Sequence, residues 1–144
     1  MAKQGVRVIK RFRWSMAHRL THGYKGPCAS LHGHEYEIGV TVGGNVDEMG
    51  LVVDFGDVKR VCGGWIKEHL DHTTIVCSKD TPLLEFLERE DQRHYTVPFN
   101  TTAENIAVHL RVELQNTLAQ SLDPGLSVVS ITLMETPNSC VETP

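Results

Sequence analysis

His18, Cys28, His32 and His34 fall within seventeen residues, in the segment MAHRLTHGYKGPCASLHGHEYEI. Neutral imidazoles and thiolates are the donors that borderline and soft metal ions select, so this run is a candidate metal centre. The three histidines share one parity of two strand-like runs. In the first, Val8, Phe12, Trp14 and Met16 alternate with Arg7, Arg11, Arg13 and Ser15, and His18 continues the apolar side. In the second, His32 and His34 precede Tyr36, Ile38, Val40 and Val42 on one side, while Glu35, Glu37, Gly39 and Thr41 take the other. Pairing the runs antiparallel across Arg19 to Leu31 brings all three imidazoles to one end of the inward face.

A lone inward histidine is ordinarily a satisfied core residue. Three that close two neighbouring stripes give instead the layout of an open zinc site, with three nitrogen donors and a position left for water or substrate. Cys28, four residues before His32, admits two readings. In one it approaches the metal without binding it, as a thiol made more acidic by the dication and imidazoles and serving as base or nucleophile. In the other it is a fourth ligand that closes a structural site. Leu70-Asp71-His72 adds a carboxylate and an imidazole at a helix end, a pair whose meaning depends on its neighbours in space. His22, His69, His94 and His109 show no convergence and read as surface or helix-face residues.

The elements that must position these groups follow from the rest of the chain. GGNVDEMG is a turn, and LVVDF returns as a short extended piece. Asp54 caps a helix that carries Phe55, Val58, Val61, Cys62, Trp65, Ile66 and Leu70 at helical spacing, weakened by Gly63 and Gly64. Residues 73–99 read as surface structure, with Thr81-Pro82 opening a short helix through Glu88. Thr101-Thr102-Ala103-Glu104 reads as a capping box with Thr101 at the cap. A second amphipathic helix then buries Ala103, Ile106, Ala107, Leu110, Leu114 and Leu118. After Asp123-Pro124-Gly125, SVVSITLMET alternates again, with Val129, Ile131 and Leu133 on one side and Glu135 closing the stripe. NSCVETP adds a short edge strand. The predicted fold is α+β: a four-stranded antiparallel sheet with two helices on one face, closed into a barrel with copies of itself because so small a sheet leaves unpaired edges.

With 144 residues, 40% of them hydrophobic, the chain supports one domain over 1–144. A net charge of −4 argues against a nucleic-acid partner. Arg7, Lys10, Arg11, Arg13 and Arg19 concentrate positive charge near the amino end. They read chiefly as a solvated strand face, with Arg19 and Lys25 as alternatives for meeting a small anionic substrate. No apolar run reaches the length of a membrane span, and MAKQGVRVIKRF lacks the apolar core of a signal peptide. The expectation is a soluble, cytoplasmic protein with no membrane partner. Cys28, Cys62, Cys77 and Cys140 form no C-x-x-C pair and are expected as free thiols.

At these residues the chain resembles the 6-pyruvoyl-tetrahydropterin synthase and 6-carboxy-tetrahydropterin synthase family. The resemblance runs through FRWSMAHRL at Phe12 to Leu20, C-x-x-x-H-G-H at Cys28 to His34 and GLVVDFGDVK at Gly50 to Lys59. It continues through LDH at Leu70 to His72, PFNTTAENIA at Pro98 to Ala107 and METP at Met134 to Pro137. It implies zinc (Zn2+) held by His18, His32 and His34, with Cys28 as the proton-abstracting base. Asp71 and His72 would form its relay from a neighbouring subunit. Glu135 would anchor the pterin ring, with Thr101 and Thr102 against the pterin pocket. The implied assembly is a homo-oligomer, a trimer or hexamer, whose tunnelling fold places active sites at subunit interfaces. Three residues between Cys28 and His32 resemble the carboxy-forming branch, a lyase acting on 7,8-dihydroneopterin triphosphate in the biosynthesis of 7-deazaguanines such as queuosine. The sister activity forming a pyruvoyl product, and a zinc-stabilised pterin- or purine-binding module without turnover, are the alternatives.

Overall fold

The computed structural model describes residues 5–144; Met1 to Gln4, part of the stretch read for a signal peptide, lie outside the described residues. Strand β1 (Arg7–His18) and strand β2 (His32–Gly43) pair antiparallel in the register that parity predicts, with His18 opposite His32, Met16 opposite His34 and Trp14 opposite Tyr36. Because side chains alternate across a strand, this register commits Trp14, Met16, His18, Tyr36, Ile38, Val40 and Val42 to one buried face.

Strand β5 (Ser127–Thr136) lies antiparallel on the other side of β2, and β6 (Ser139–Glu142) follows as an edge strand on β5. Thr41 faces Ser130 while Val42 faces Val128, so Val129 is the extra residue of a β-bulge. Val129 is therefore not part of the inward stripe; Val128 takes that place, beside Ile131 and Leu133.

The sheet has six strands in the order β4-β3-β1-β2-β5-β6, and it is mixed, which corrects the expectation of four antiparallel strands. Strand β3 (Thr73–Cys77) runs parallel to the end of β1, and β4 (His94–Val97) parallel to β3. A parallel neighbour requires a crossover. The first crossover is a helical run made of α1 (Phe55–Val58), a π-helical turn over Lys59–Gly63 and α2 (Gly64–His69). The second is α3 (Thr81–Arg89). Residues 73–99 are thus sheet and helix, with Ile75, Val76, Cys77, Leu83 and Leu87 buried. Val76 packs with Leu83 and Leu87, whereas its neighbour Ile75 joins the main core, so α3 covers the face opposite the other helices.

Asp54 caps α1, its carboxylate accepting from Gly56 N at 2.6 Å. The helical run buries Val58, Val61, Cys62 and Ile66 as predicted, but Phe55 is exposed. The π-turn holds the first of the two glycines, Gly63, where a Cβ would press on the Phe12 ring at 3.2 Å. LVVDF forms no strand; Asp47 instead folds the preceding turn, its side chain accepting from Met49 N and Leu51 N. Helix α4 (Ala103–Ser121) buries Ile106, Ala107, Leu110, Leu114 and Leu118 against the sheet. Among the described residues no helix is long and apolar enough to cross a membrane. All four cysteines are free.

Candidate metal centre and its surroundings

The inward face of β1 and β2 ends in the three histidines. One ligating atom from each of His18, His32 and His34 lies within 4.8 Å of the others. His18 Nε2 and His32 Nε2 are 3.1 Å apart. Each of these two rings directs Nδ1 at a backbone carbonyl, His18 at Thr101 O (2.7 Å) and His32 at Ser30 O (2.6 Å). A carbonyl only accepts, so both Nδ1 atoms carry the proton and both Nε2 atoms present lone pairs to one point. That outer arrangement orients metal-binding imidazoles. Tetrahedral zinc with bonds of 2.0–2.1 Å separates its nitrogen ligands by about 3.3 Å, close to the spacing of the His18 and His32 pair. His34 Nε2 is buried with no hydrogen-bond partner, a further sign that the donor set fits a cation.

Electrostatics agree. Burial is the main force lowering His18 to about 4, opposed by the bond to Thr101 and reinforced by His32 and His34. His34 is lowered by burial and by His32. Both imidazoles are therefore neutral near pH 7, the form that binds metal.

Glu135 reaches this point from β5. Its oxygens lie 3.7 Å from His18 Nε2 and 3.8 Å from His34 Nε2. Burial raises its pKa, with His32 acting against the rise. Parity predicts its approach, but the sequence does not show that it stands this close to the imidazoles.

Cys28 sits in a 3₁₀ turn (Pro27–Ala29) of the connection between β1 and β2, and its carbonyl accepts from Leu20 N at 2.8 Å. Its thiol is not in the group of converging donors. The connection turns sharply at His22 (φ 59°) and Gly23 (φ 79°), where Tyr24 N donates to Thr21 O. The exposed Tyr24 ring folds over Gly26, where a Cβ would displace it. Asn100 pins the loop: its Oδ1 accepts from Thr21 N (2.9 Å) and Thr21 Oγ1 (3.2 Å). Sequence reasoning missed Asn100, whose side chain substitutes for strand pairing.

Asp71 and His72 form their own pair, with His72 Nδ1 2.8 Å from Asp71 Oδ1. They are fastened to β1 at Ser15, on the parity opposite His18: His72 N donates to Ser15 O, and Ser15 N to Asp71 Oδ1. No hydrogen bond joins the pair to the three histidines or to Cys28 among the described residues. His72 and His34 do line a common cavity of about 480 Å³ with Ser15, Met16 and Gly33. His72 holds φ 58°, a conformation that costs a non-glycine residue about 1–2 kcal/mol and is concentrated at functional sites.

Thr101 and Thr102 have local partners. Thr101 is buried behind His18, its hydroxyl donating to Arg19 O at 3.1 Å. Thr102, rather than Thr101, caps α4 by accepting from Asn105 N, so the cap lies one residue later than the capping box predicts. Arg19 is also not free to meet an anion: its Nε and Nη2 donate to the two carboxylate oxygens of Asp80 at 2.7 and 2.6 Å. Of the remaining histidines, His109 is hydrogen bonded to Tyr95 (2.7 Å) and His69 stacks on Trp65.

The arrangement can hold a divalent cation beside a carboxylate, with a thiol on the adjoining loop. A protein named 6-carboxy-5,6,7,8-tetrahydropterin synthase from Rickettsia bellii is 37% identical and aligns over 95% of this chain and 99% of its own length. The enzyme of the same name from Haemophilus influenzae is 34% identical over 94% of this chain and 96% of its own. The 6-pyruvoyl tetrahydropterin synthase of Caenorhabditis elegans superposes with a TM-score of 0.71 over 96% of this chain and 94% of its own, at 22% identity, which shows a shared fold. The model of the family described as 6-pyruvoyl tetrahydropterin synthase matches residues 7–144. With that match spanning every element that builds the histidine face, the chain belongs to the 6-pyruvoyl tetrahydropterin synthase family.

Proposed function

We propose that this chain is a zinc-dependent 6-carboxy-5,6,7,8-tetrahydropterin synthase. It converts 7,8-dihydroneopterin triphosphate and water to 6-carboxy-tetrahydropterin, acetaldehyde and triphosphate, supplying the precursor of 7-deazaguanines of the queuosine type. The observation that carries the reading is the convergence of His18, His32 and His34 at the end of one buried strand pair, in a chain whose relatives of near-equal length bear that name. The gap of three residues between Cys28 and His32 supports the carboxy-forming branch.

Zinc on the three imidazoles supplies a Lewis-acidic position for the side-chain oxygens of the substrate and stabilises negative charge that develops there. Cys28, as thiolate, removes a proton from the substrate side chain. His72, held by Asp71, receives and returns protons and is contributed by a second copy of this chain. Glu135 accepts from the guanidine-like N–H groups of the pterin, with Thr101 and Thr102 behind the pocket. The working form is a cytoplasmic homo-oligomer; the outer edges of β4 and β6, unpaired among the described residues, support closure with further copies.

The test is anaerobic incubation of zinc-loaded protein with 7,8-dihydroneopterin triphosphate and identification of products by mass spectrometry. Carboxy-pterin with acetaldehyde is expected. Pyruvoyl-pterin without acetaldehyde moves the chain to the sister activity, and unchanged substrate that stays bound makes it a pterin-binding module.

A further inference from the structure

Tyr36 follows His34 on the inward face of β2 and pairs with Trp14 on β1. Its ring stacks on Trp14 with centroids 5.5 Å apart, and it stands edge-on to His34 at 5.5 Å and to His18 at 6.0 Å. The residue is 0% exposed, and its hydroxyl has no hydrogen-bond partner. A buried hydroxyl left unpaired costs its full desolvation, whereas phenylalanine fills the same space without that cost. Packing on Trp14 therefore accounts for the ring and not for the oxygen.

Glu135 is the charged group that faces this hydroxyl, and burial together with the Glu135 carboxylate holds the phenol far above its ordinary pKa. The two stand close enough for a hydrogen-bonding interaction to bear on both groups, yet short of full hydrogen-bond geometry; the Glu135 oxygens also lie 3.7 and 3.8 Å from His18 and His34. A carboxylate in that place competes for the position that three imidazoles leave on a cation. To receive the N–H groups of a pterin it has to be held off the metal, and the phenol is the neighbouring hydroxyl that interacts with it.

We propose that Tyr36 is a positioning residue of the pterin site: its hydroxyl donates to Glu135, draws the carboxylate away from the three histidines and leaves the second oxygen for the pterin. This rests on the reading of the chain as a pterin enzyme. Tyr36 touches neither metal nor reacting atoms, and acts through Glu135 alone.

The test compares zinc-loaded wild type, Tyr36→Phe, Glu135→Gln and the double variant for zinc content, thermal midpoint and binding of biopterin, an unreactive pterin, by fluorescence quenching. Tyr36→Phe is expected to keep its zinc and a cooperative thermal transition, and to lose about tenfold in biopterin affinity. In the Glu135→Gln background the same change is expected to cost less than twofold. Wild-type affinity in Tyr36→Phe, an equal loss in both backgrounds, or zinc loss from Tyr36→Phe would each overturn the proposal. A wild type that binds no biopterin and turns over no substrate overturns the pterin reading itself, and the role of Tyr36 with it.

Discussion

His18 and His32 face each other across the last rung of the β1–β2 ladder with their Nε2 atoms 3.1 Å apart, both Nδ1 protons being committed to backbone carbonyls. Two lone pairs held at that distance repel unless something positive stands between them. The register of one hairpin thus sets these imidazoles where, with His34, they could hold a cation. Strand β1, along the edge where β3 pairs, also fastens Asp71 and His72 through the backbone of Ser15.

The first prediction concerns acid. With metal removed by a chelator, His18 at about 4 and His34, also lowered, resist protonation in the folded chain, whereas unfolded imidazoles titrate near 6.5. The unfolded state binds more protons between these values, so stability present above pH 6.5 is lost as the pH falls toward 4. His18 alone accounts for about 3 kcal/mol of this. Urea unfolding at pH 7.5 and pH 5 is expected to show a lower midpoint at pH 5; equal midpoints contradict the assignment.

Cys28→Ala separates base from ligand. Its thiol stands outside the converging donors, so the variant is expected to hold as much zinc as wild type while kcat falls by about 10²- to 10⁴-fold. Loss of zinc along with activity would make Cys28 a ligand.

Arg19→Met tests a structural role against substrate binding. The guanidinium is paired with both oxygens of Asp80, whose carboxylate also caps α3 at Leu83 N. Removing it leaves a buried charge, and a loss of about 2–3 kcal/mol is expected with KM for the triphosphate substrate unchanged. A raised KM with unaltered stability would return Arg19 to the anion.

Much of this architecture is legible in the sequence where a period is long enough to read. β1 and β2 run for twelve residues each, so their parity places the histidines and predicts their pairing. β3 and β4 have five and four residues, and β3 buries Ile75, Val76 and Cys77 consecutively because both of its faces are covered, which erases alternation. The bulge at Val129 shifts the stripe by one residue without any local signal. Thr101-Thr102 offers two frames for a cap, and only packing against Arg19 and His18 selects the second. The left-handed backbone of His72 and the unpaired hydroxyl of Tyr36 are tertiary facts; no spacing encodes them.

Glu135→Gln distinguishes the two tasks open to that carboxylate. As a pterin anchor its neutral replacement is expected to keep zinc and lose about 10- to 100-fold in pterin affinity, the worth of a charge-assisted pair. Zinc loss with pterin affinity intact would make Glu135 a metal ligand.

The most direct test of the central claim is a zinc titration of chelator-treated protein in the presence of 7,8-dihydroneopterin triphosphate, following acetaldehyde release against bound metal. Turnover is predicted to rise in proportion to occupancy and to level at one zinc per chain, with His18→Ala abolishing both binding and turnover. Acetaldehyde released at full rate without zinc, or by His18→Ala, would contradict it.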